Sequence, residues 1–486
     1  MITPNKRQAD HSRRLLRFRA NPAPICVIVA LLVLGGCSVG PCYERPKLDI
    51  PAAWHGQAAD QPAWPSADWW KGFGSLQLDS FIDQAKSGNL DLTAAAARIR
   101  EADAQTRVAG AALLPSIGLS GGAARQRSAS NTGSTSRKGN DSNLYNAQLS
   151  ASYEIDFWGA NRASLSAANQ KALASRYDAQ TIALMTMASV ATTYFQVLAL
   201  RDQILTMSEN IDSAREILAS MKAQEAAGTE NSLDVAQQQT TVLTLEAELP
   251  PLREQLRQFI DALAILLGKP PESVNVSAGK LADLSYPAVS PGLPSALLAR
   301  RPDIAMAEAQ LKAANADITV ARAQFFPSIQ LTASGGFQST ALSSMFGPAG
   351  LLYSLAAGVS QPIFEGGRIK GQYEYSKAYY DELLADYRKS VISAFQDVED
   401  SLVAYQQTTE QEQRQQAAVA AAREAYDAAR VQLRAGTANV LTVLNTQSAL
   451  FSTNTTLVQV RLARLNAIVS LFKALGGGWQ EGGSHA

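Results

Sequence analysis

The stretch VLALRDQILTMSENIDSAREILASM, residues 197–221, decides how the rest of the chain must be read. Its apolar positions Val197, Leu200, Ile204, Met207, Ile211, Ala214, Leu218 and Met221 step by alternating threes and fours. That heptad lies inside 68 consecutive residues, between Gly159 and Gly228, that contain neither glycine nor proline. A helix of that length reaches about 100 Å, well beyond the diameter of a compact domain of this mass, so it is expected to be a strut. A 3.5-residue period implies a left-handed supercoil against a neighbouring helix, because a straight helix would rotate the stripe out of contact. A second such stretch runs between Gly371 and Gly436. There Val391, Phe395, Val398, Leu402 and Tyr405 keep the spacing, a polar run follows at 409–416, and Val419, Ala422, Tyr426, Ala429 and Leu433 resume it.

Working outward, two long struts override the usual division of 486 residues into two or three globular domains. The formal net charge is zero, but it is unevenly placed: the first 36 residues carry +5 and the remainder −5. An acidic body argues against nucleic acid as a partner. The cysteines, Cys26, Cys37 and Cys42, all lie near the start, so no disulfide framework staples the body. His11, His55 and His485 also fall outside it.

Residues 1–36 read as an export signal, with a basic region, an apolar run over 25–34 and then Leu34-Gly35-Gly36-Cys37. The run is too short for a membrane anchor. The tetrapeptide resembles a bacterial lipobox, which implies lipidation of Cys37; Ser38, in place of the aspartate that retains such lipoproteins at the inner membrane, favours the outer membrane. Residues 37–75 read as lipid anchor and extended tether, whose Trp54, Trp64, Trp69 and Trp70 are expected to pack on the body. Helical pattern is expected over 76–114 and stops at Pro115.

Beyond Pro115 the period switches to two. Ile117, Leu119, Gly121 and Ala123 alternate with Ser116, Gly118, Ser120 and Gly122. After a polar loop, Tyr145, Ala147, Leu149, Ala151, Tyr153, Ile155 and Phe157 alternate with Asn146, Gln148, Ser150, Ser152, Glu154 and Asp156. Such a length with aromatics toward both ends matches a membrane barrel strand, placing Leu149 and Ile155 in lipid and Gln148 and Glu154 toward a lumen. Ala227-Gly228-Thr229 then turns the chain into a return helix from about Ser232. Its heptad, from Leu245 to Leu266, is expected to kink at Pro250-Pro251, and 269–293 reads as a linker.

The order then repeats. Residues 303–331 align with 91–119 at an offset of 212, matching Pro327-Ser328-Ile329 to Pro115-Ser116-Ile117; the tips align at 208, with Ala435-Gly436-Thr437 on Ala227-Gly228-Thr229. Ile329, Leu331, Ala333, Gly335 and Phe337 supply the apolar phase of the second hairpin, completed by Tyr353, Leu355, Ala357 and Val359. The expected organisation is a first repeat over 76–268, a second over 294–475 and a disordered tail over 476–486. Each repeat reads helix, strand, strand, long helix, helix, so the fold class is mostly α with a membrane β-barrel contribution. Four strands per chain cannot close, since the smallest such barrels have about eight, and an open edge in hydrocarbon is costly. Oligomerisation through the sheet edges is expected.

This arrangement resembles the TolC-like outer membrane efflux factors, in particular their lipidated OprM/NodT-type branch. The resemblance covers nearly all of the mature chain and rests on Cys37 to Pro46 (CSVGPCYERP), Trp69-Trp70, the paired Pro-Ser-Ile junctions and the Arg434-Ala435-Gly436-Thr437 tip. It implies a homotrimer with a 12-stranded β-barrel continued by an α-helical barrel, meeting a periplasmic adaptor and an inner-membrane pump, anchored in outer membrane lipid. It implies a passive duct for drugs or other small molecules, with protein secretion or metal efflux as alternative cargo classes. Cys42 departs from the family pattern, where aspartate is common. For the periplasmic gate, the resemblance points to Asp234 as the acid and to Arg434 and Arg461 as its bases. The aspartates that commonly ring the pore fall here on Thr442 and Asn445, so the second tip is expected to be uncharged.

Against a hydrolase stand the absence of Gly-x-Ser-x-Gly and of any histidine in the body. No cofactor is called for. Met185, Met187, Met207 and Met221 raise the question of metal cargo, but the heptad uses two of them, so packing explains them better.

Overall fold

The computed structural model describes residues 39–54, 64–127, 141–277, 279–288 and 292–479; Cys37 and the stretch expected to be an export signal lie outside these. The chain runs α1 (Leu76–Gly88), α2 (Leu90–Ala111), β1 (Ser116–Arg127), β2 (Asp141–Glu154), α3 (Ala160–Ala226) and α4 (Ser232–Leu266). The second half follows the same order with α5 (Pro302–Ala323), β3 (Ser328–Ser339), β4 (Leu351–Ser360), α6 (Arg368–Arg434) and α7 (Val440–Ala474). Matching elements agree in length: α2 and α5 have 22 residues, α3 and α6 have 67, α4 and α7 have 35.

Two compact units result, and they cut across the repeats. Ala112–Arg162 and Thr319–Ile369 hold the two hairpins; Pro41–Ala111, Ala163–Ile318 and the chain from Lys370 onward hold the helices. In the first unit the four strands form one sheet in the order β1-β2-β3-β4, antiparallel throughout. In the second, the predicted stripe of α3 is buried at Val197, Leu200, Met207, Ile211, Ala214 and Met221. Met207 and Met221 are therefore core residues, whereas Met185 is exposed.

The tether packs as its aromatics predict. Trp69, Trp70 and Phe73 are buried in a cluster with Phe195 and Phe472, and Trp54 Nε1 donates to Gly292 O at 2.7 Å. Arg45 bonds Glu308 on α5 at 2.6 Å.

Three sequence expectations need correction. The helix expected over 76–114 is two helices, because Asn89 ends one and caps the next, its Oδ1 accepting from the backbone N–H of Asp91 and Leu92. The kink expected at Pro250-Pro251 does not interrupt helix α4, which continues through both prolines; they lie on an exposed side, where water can serve the carbonyls that lose their donors. Strand β2 stops at Glu154, so Ile155 sits one residue past it, still donating its N–H to Ile329 O at 2.9 Å. Finally, α6 starts at Arg368, ahead of Gly371; Gly366 and Gly367, both at positive φ, mark its real boundary.

Candidate functional site

The residues singled out in the sequence lie on the two faces of the sheet and at the helical tips. Register decides the sheet. Leu149 lies opposite Leu119 on one side and Gly335 on the other, and Gly335 lies opposite Tyr353. The same phase carries Ile117, Ala151, Ala333 and Leu355 across all four strands, so one face is apolar over the middle of the sheet. The opposite phase aligns Gly118, Ser150, Ser334 and Ser354, with Gln148 between Ser120 and Gly336. Two independent hairpins thus merge their alternations without a slip, which a one-residue shift would have destroyed. Leu119 is 80% exposed and Leu355 is 78% exposed in the single chain.

At the helix-connected end of the sheet, Asp156 accepts from the backbone N–H of Asn161 and Arg162 at 3.0 and 2.9 Å, capping α3. Trp158 stacks on Phe326, with centroids 4.6 Å apart, and donates Nε1 to Pro327 O. A crevice of about 560 Å³ here is lined by Glu154, Ile155, Asp156, Glu365 and Arg368 among others. Ile155 therefore borders polar company as well as the apolar band.

The tips of the two repeats fold by the same bonds. Gly228 and Gly436 take positive φ, and Thr229 N–H and Thr437 N–H return to Gln224 O and Gln432 O, both at 2.9 Å. Asn231 then caps α4: its Oδ1 accepts from Asp234 N–H at 2.9 Å, while its Nδ2 donates to the Asp234 carboxylate at 2.7 Å. In the second tip Asn439 does the same for Thr442, whose N–H and hydroxyl both donate to Asn439 Oδ1. Asp234 and Thr442 are thus equivalent third residues of their helices. Asn445 is exposed one turn further on, and Arg434 is exposed as the last residue of α6.

Arg461 is placed differently. Its Nε donates to Glu412 on α6 at 3.2 Å, and Arg464 NH1 donates to the other carboxylate oxygen at 2.8 Å. Glu412 is 3% exposed and also accepts from the Tyr286 hydroxyl, while the Arg464 guanidinium lies 3.9 Å over the Tyr286 ring. Burial alone would raise the Glu412 pKa, but the hydrogen bonds from Arg464 and Arg461 outweigh it and hold it below the usual range. Burial, with Glu412 beside it, pushes the Tyr286 hydroxyl up to about 12. Within the chain no ion pair among the described residues joins Asp234 to Arg434 or Arg461. The cluster was missed in sequence because the polar run 409–416 reads as a break; the stripe in fact continues through half-buried Thr409 and buried Glu412, at steps of four and three from Tyr405.

A second pair of sites closes the return helices. Asn89 Nδ2 donates to Leu266 O at 2.8 Å, and Arg301, 212 residues on, donates NH1 to Ala474 O at 3.2 Å. Arg301 is held by Asp303 at 2.6 Å and Asp397 at 2.9 Å.

Comparison with known proteins bears on the whole chain. The family described as outer membrane efflux protein matches residues 81–269 and 293–477. The pyoverdine export outer membrane protein OpmQ of Pseudomonas aeruginosa is 40% identical over 462 residues, covering 94% of this chain and 97% of that protein. A probable efflux pump outer membrane protein, TtgC of Pseudomonas putida, is 34% identical over 473 residues, covering 94% and 96%. The open state of the MtrE outer membrane channel of Neisseria gonorrhoeae has a TM-score of 0.83 at 28% identity, over 91% of this chain and 99% of that one.

Proposed function

The chain belongs to the outer membrane efflux protein family, and from that membership we propose that three copies close their sheets into one twelve-stranded barrel. The protein is the outer-membrane duct component of a tripartite efflux system, with a long periplasmic extension. The observation that carries the trimer is the sheet itself. It is apolar on one face and polar on the other, and β1 and β4 stand at its edges. Four is an even number of antiparallel strands, so β4 of one copy meets β1 of the next antiparallel, and three copies reach a size that closes. Unpaired backbone groups in hydrocarbon cost several kcal/mol each, which makes the closed ring the stable state.

In this reading the apolar face, with Leu149 at its centre, meets lipid, and the serine and glutamine face lines the channel. Cys37 carries a lipid anchor, a periplasmic adaptor and an inner-membrane pump engage the helices, and Asp234 with Arg434 contributes to the closed tip. The cargo is a small molecule selected by the pump, in keeping with a relative named for pyoverdine export. Reconstitution of the purified protein into planar bilayers tests the duct: discrete conductance steps are expected, together with a trimeric mass in native spectra. Trimers that never conduct, or monomers that do, would sink the proposal. Mass spectrometry of the mature N-terminus tests the anchor, and an unmodified Cys37 would remove it.

A further inference from the structure

The apolar face of β1 does not end in an apolar residue. Following the same alternation, Ile117, Leu119, Gly121 and Ala123 are succeeded by Arg125 and Arg127. In register Arg125 lies opposite Asn143 and Arg127 opposite Asp141. Both guanidiniums reach the one carboxylate, at 3.3 Å for Arg125 and 3.7 Å for Arg127, and their side chains are 74% and 75% exposed. Two cations on one anion leave a positive charge per copy. The adjoining sequence offers no anion to cancel it: residues 128–140 contain no acidic residue, and residues 340–360, which span the other hairpin and β4, contain no charged residue at all.

Depth can be read along the same strands. Tyr153, opposite Leu331, marks the helix-connected end of the apolar face; Tyr145, opposite Ala123 and Ser339, marks the hairpin end, near Phe337. Eight residues separate the two tyrosines, about 26 Å along the strand at ~3.3 Å per residue. At a barrel tilt of ~40° this becomes about 20 Å of depth, close to the height of a lipid-facing band between aromatic girdles. Arg125 lies one pleat beyond the outer girdle and Arg127 two, on the side away from the strand ends that lead to the helices.

We propose that Arg125 and Arg127 form a docking site on the lipid-facing rim for the phosphorylated saccharide headgroup of an outer-leaflet glycolipid, one per protomer. Guanidinium forks match phosphate oxygens in geometry and charge, and two forks about 7 Å apart along a strand converge on one phosphate. Asp141 orients both forks and leaves most of their N–H groups for the ligand. This rests on the barrel reading above, since it needs the apolar face to meet lipid.

The test uses the full-length trimer in detergent, titrated with bisphosphorylated lipid A and with the same lipid A stripped of phosphate, bound lipids being counted by native mass spectrometry. The wild type should take up to three phosphorylated lipids, and the stripped lipid should bind about tenfold more weakly. The double variant Arg125→Gln/Arg127→Gln should bring the phosphorylated lipid down to that level, and Arg125→Lys/Arg127→Lys should restore part of the difference. Equal binding of the two lipids by the wild type overturns the proposal without any variant having to fold, as does undiminished binding by the glutamine pair. Channels that conduct normally but show no phosphate preference would refute the docking site alone; a protein that never forms channels would refute the barrel.

Discussion

Glu412 stands where the heptad of α6 asks for an apolar side chain, and the chain answers with two arginines and a tyrosine. A buried charge is tolerated only when paired, and removing one member of such a cluster leaves its partners desolvated, at about 3–5 kcal/mol. Glu412→Gln is therefore expected to lower the melting temperature of the helical unit, measured by circular dichroism. The pH dependence has a definite sign. A carboxylate held below its unfolded value contributes stability above that value, and the contribution is lost as pH falls through the folded one. With 4.5 as the ordinary glutamate value, the gap between wild type and Glu412→Gln should be full at neutral pH and shrink only below about 4.5. A gap that closed between pH 6 and 8 would show that another group is titrating.

Among the elements, the strands make the sharpest test. Leu149 and Gln148 are neighbours in sequence on opposite faces of β2. An arginine on the lipid face near mid-depth costs roughly 2–4 kcal/mol. Leu149→Arg should thus reduce assembled, heat-resistant trimer on a gel, whereas Gln148→Arg should leave it assembled and shift conductance. Equal loss from both would mean the phase is wrong. The return helices offer a second case. Gly268 and Gly476 take positive φ, and a Cβ on either would stand 2.0 Å from Gly88 O or 1.8 Å from Arg300 O. Alanine at either position should destabilise the helical unit by clash and strain together, visible as a lowered melting temperature.

These elements also show why parts of the fold were legible. Faces and seams repeat, so periods of two and 3.5 reveal them without any knowledge of contacts, and the second copy of each pattern confirms the first. Ion pairs do not repeat. The offset of 208 places Ile204 where Glu412 stands, so the repeat gives no hint of the cluster, and its partners Arg461 and Arg464 are some fifty residues away. The break at Asn89 was hidden because apolar spacing continues on both sides; Gly88-Asn89, a helix stop followed by a cap, was the local signal. At the tips the repeat revealed the turn and the start of the return helix, but which cation each charge meets depends on side-chain reach, and Arg461 reaches Glu412.

In the whole molecule, three copies would place each tip residue in a ring of three at one depth, so a single charge becomes a threefold one. Like charges so arranged repel unless partnered. Asp234 uses its carboxylate locally on Asn231, Arg461 is committed to Glu412, and Arg434 is exposed, so Arg434 is the base available to Asp234 across neighbouring coils. If such pairs hold the tip shut, Asp234→Ala should raise single-channel conductance. Adding Arg434→Ala should then change it little, a coupling of about 0.5–3 kcal/mol in the opening equilibrium, whereas Arg461→Ala should act independently. The competing role is capping, worth about 1 kcal/mol, and Asp234→Asn separates the two because its amide oxygen still accepts from Asn231 while its charge is gone. Raised conductance in Asp234→Asn supports the gate; unchanged conductance there, with lowered stability in Asp234→Ala, leaves only the cap. Thr442 and Asn445 complete the argument from the other tip. Being neutral, they predict weak block by multivalent cations added from the periplasmic side, and Thr442→Asp, which installs the acidic ring at the position equivalent to Asp234, should make that block strong.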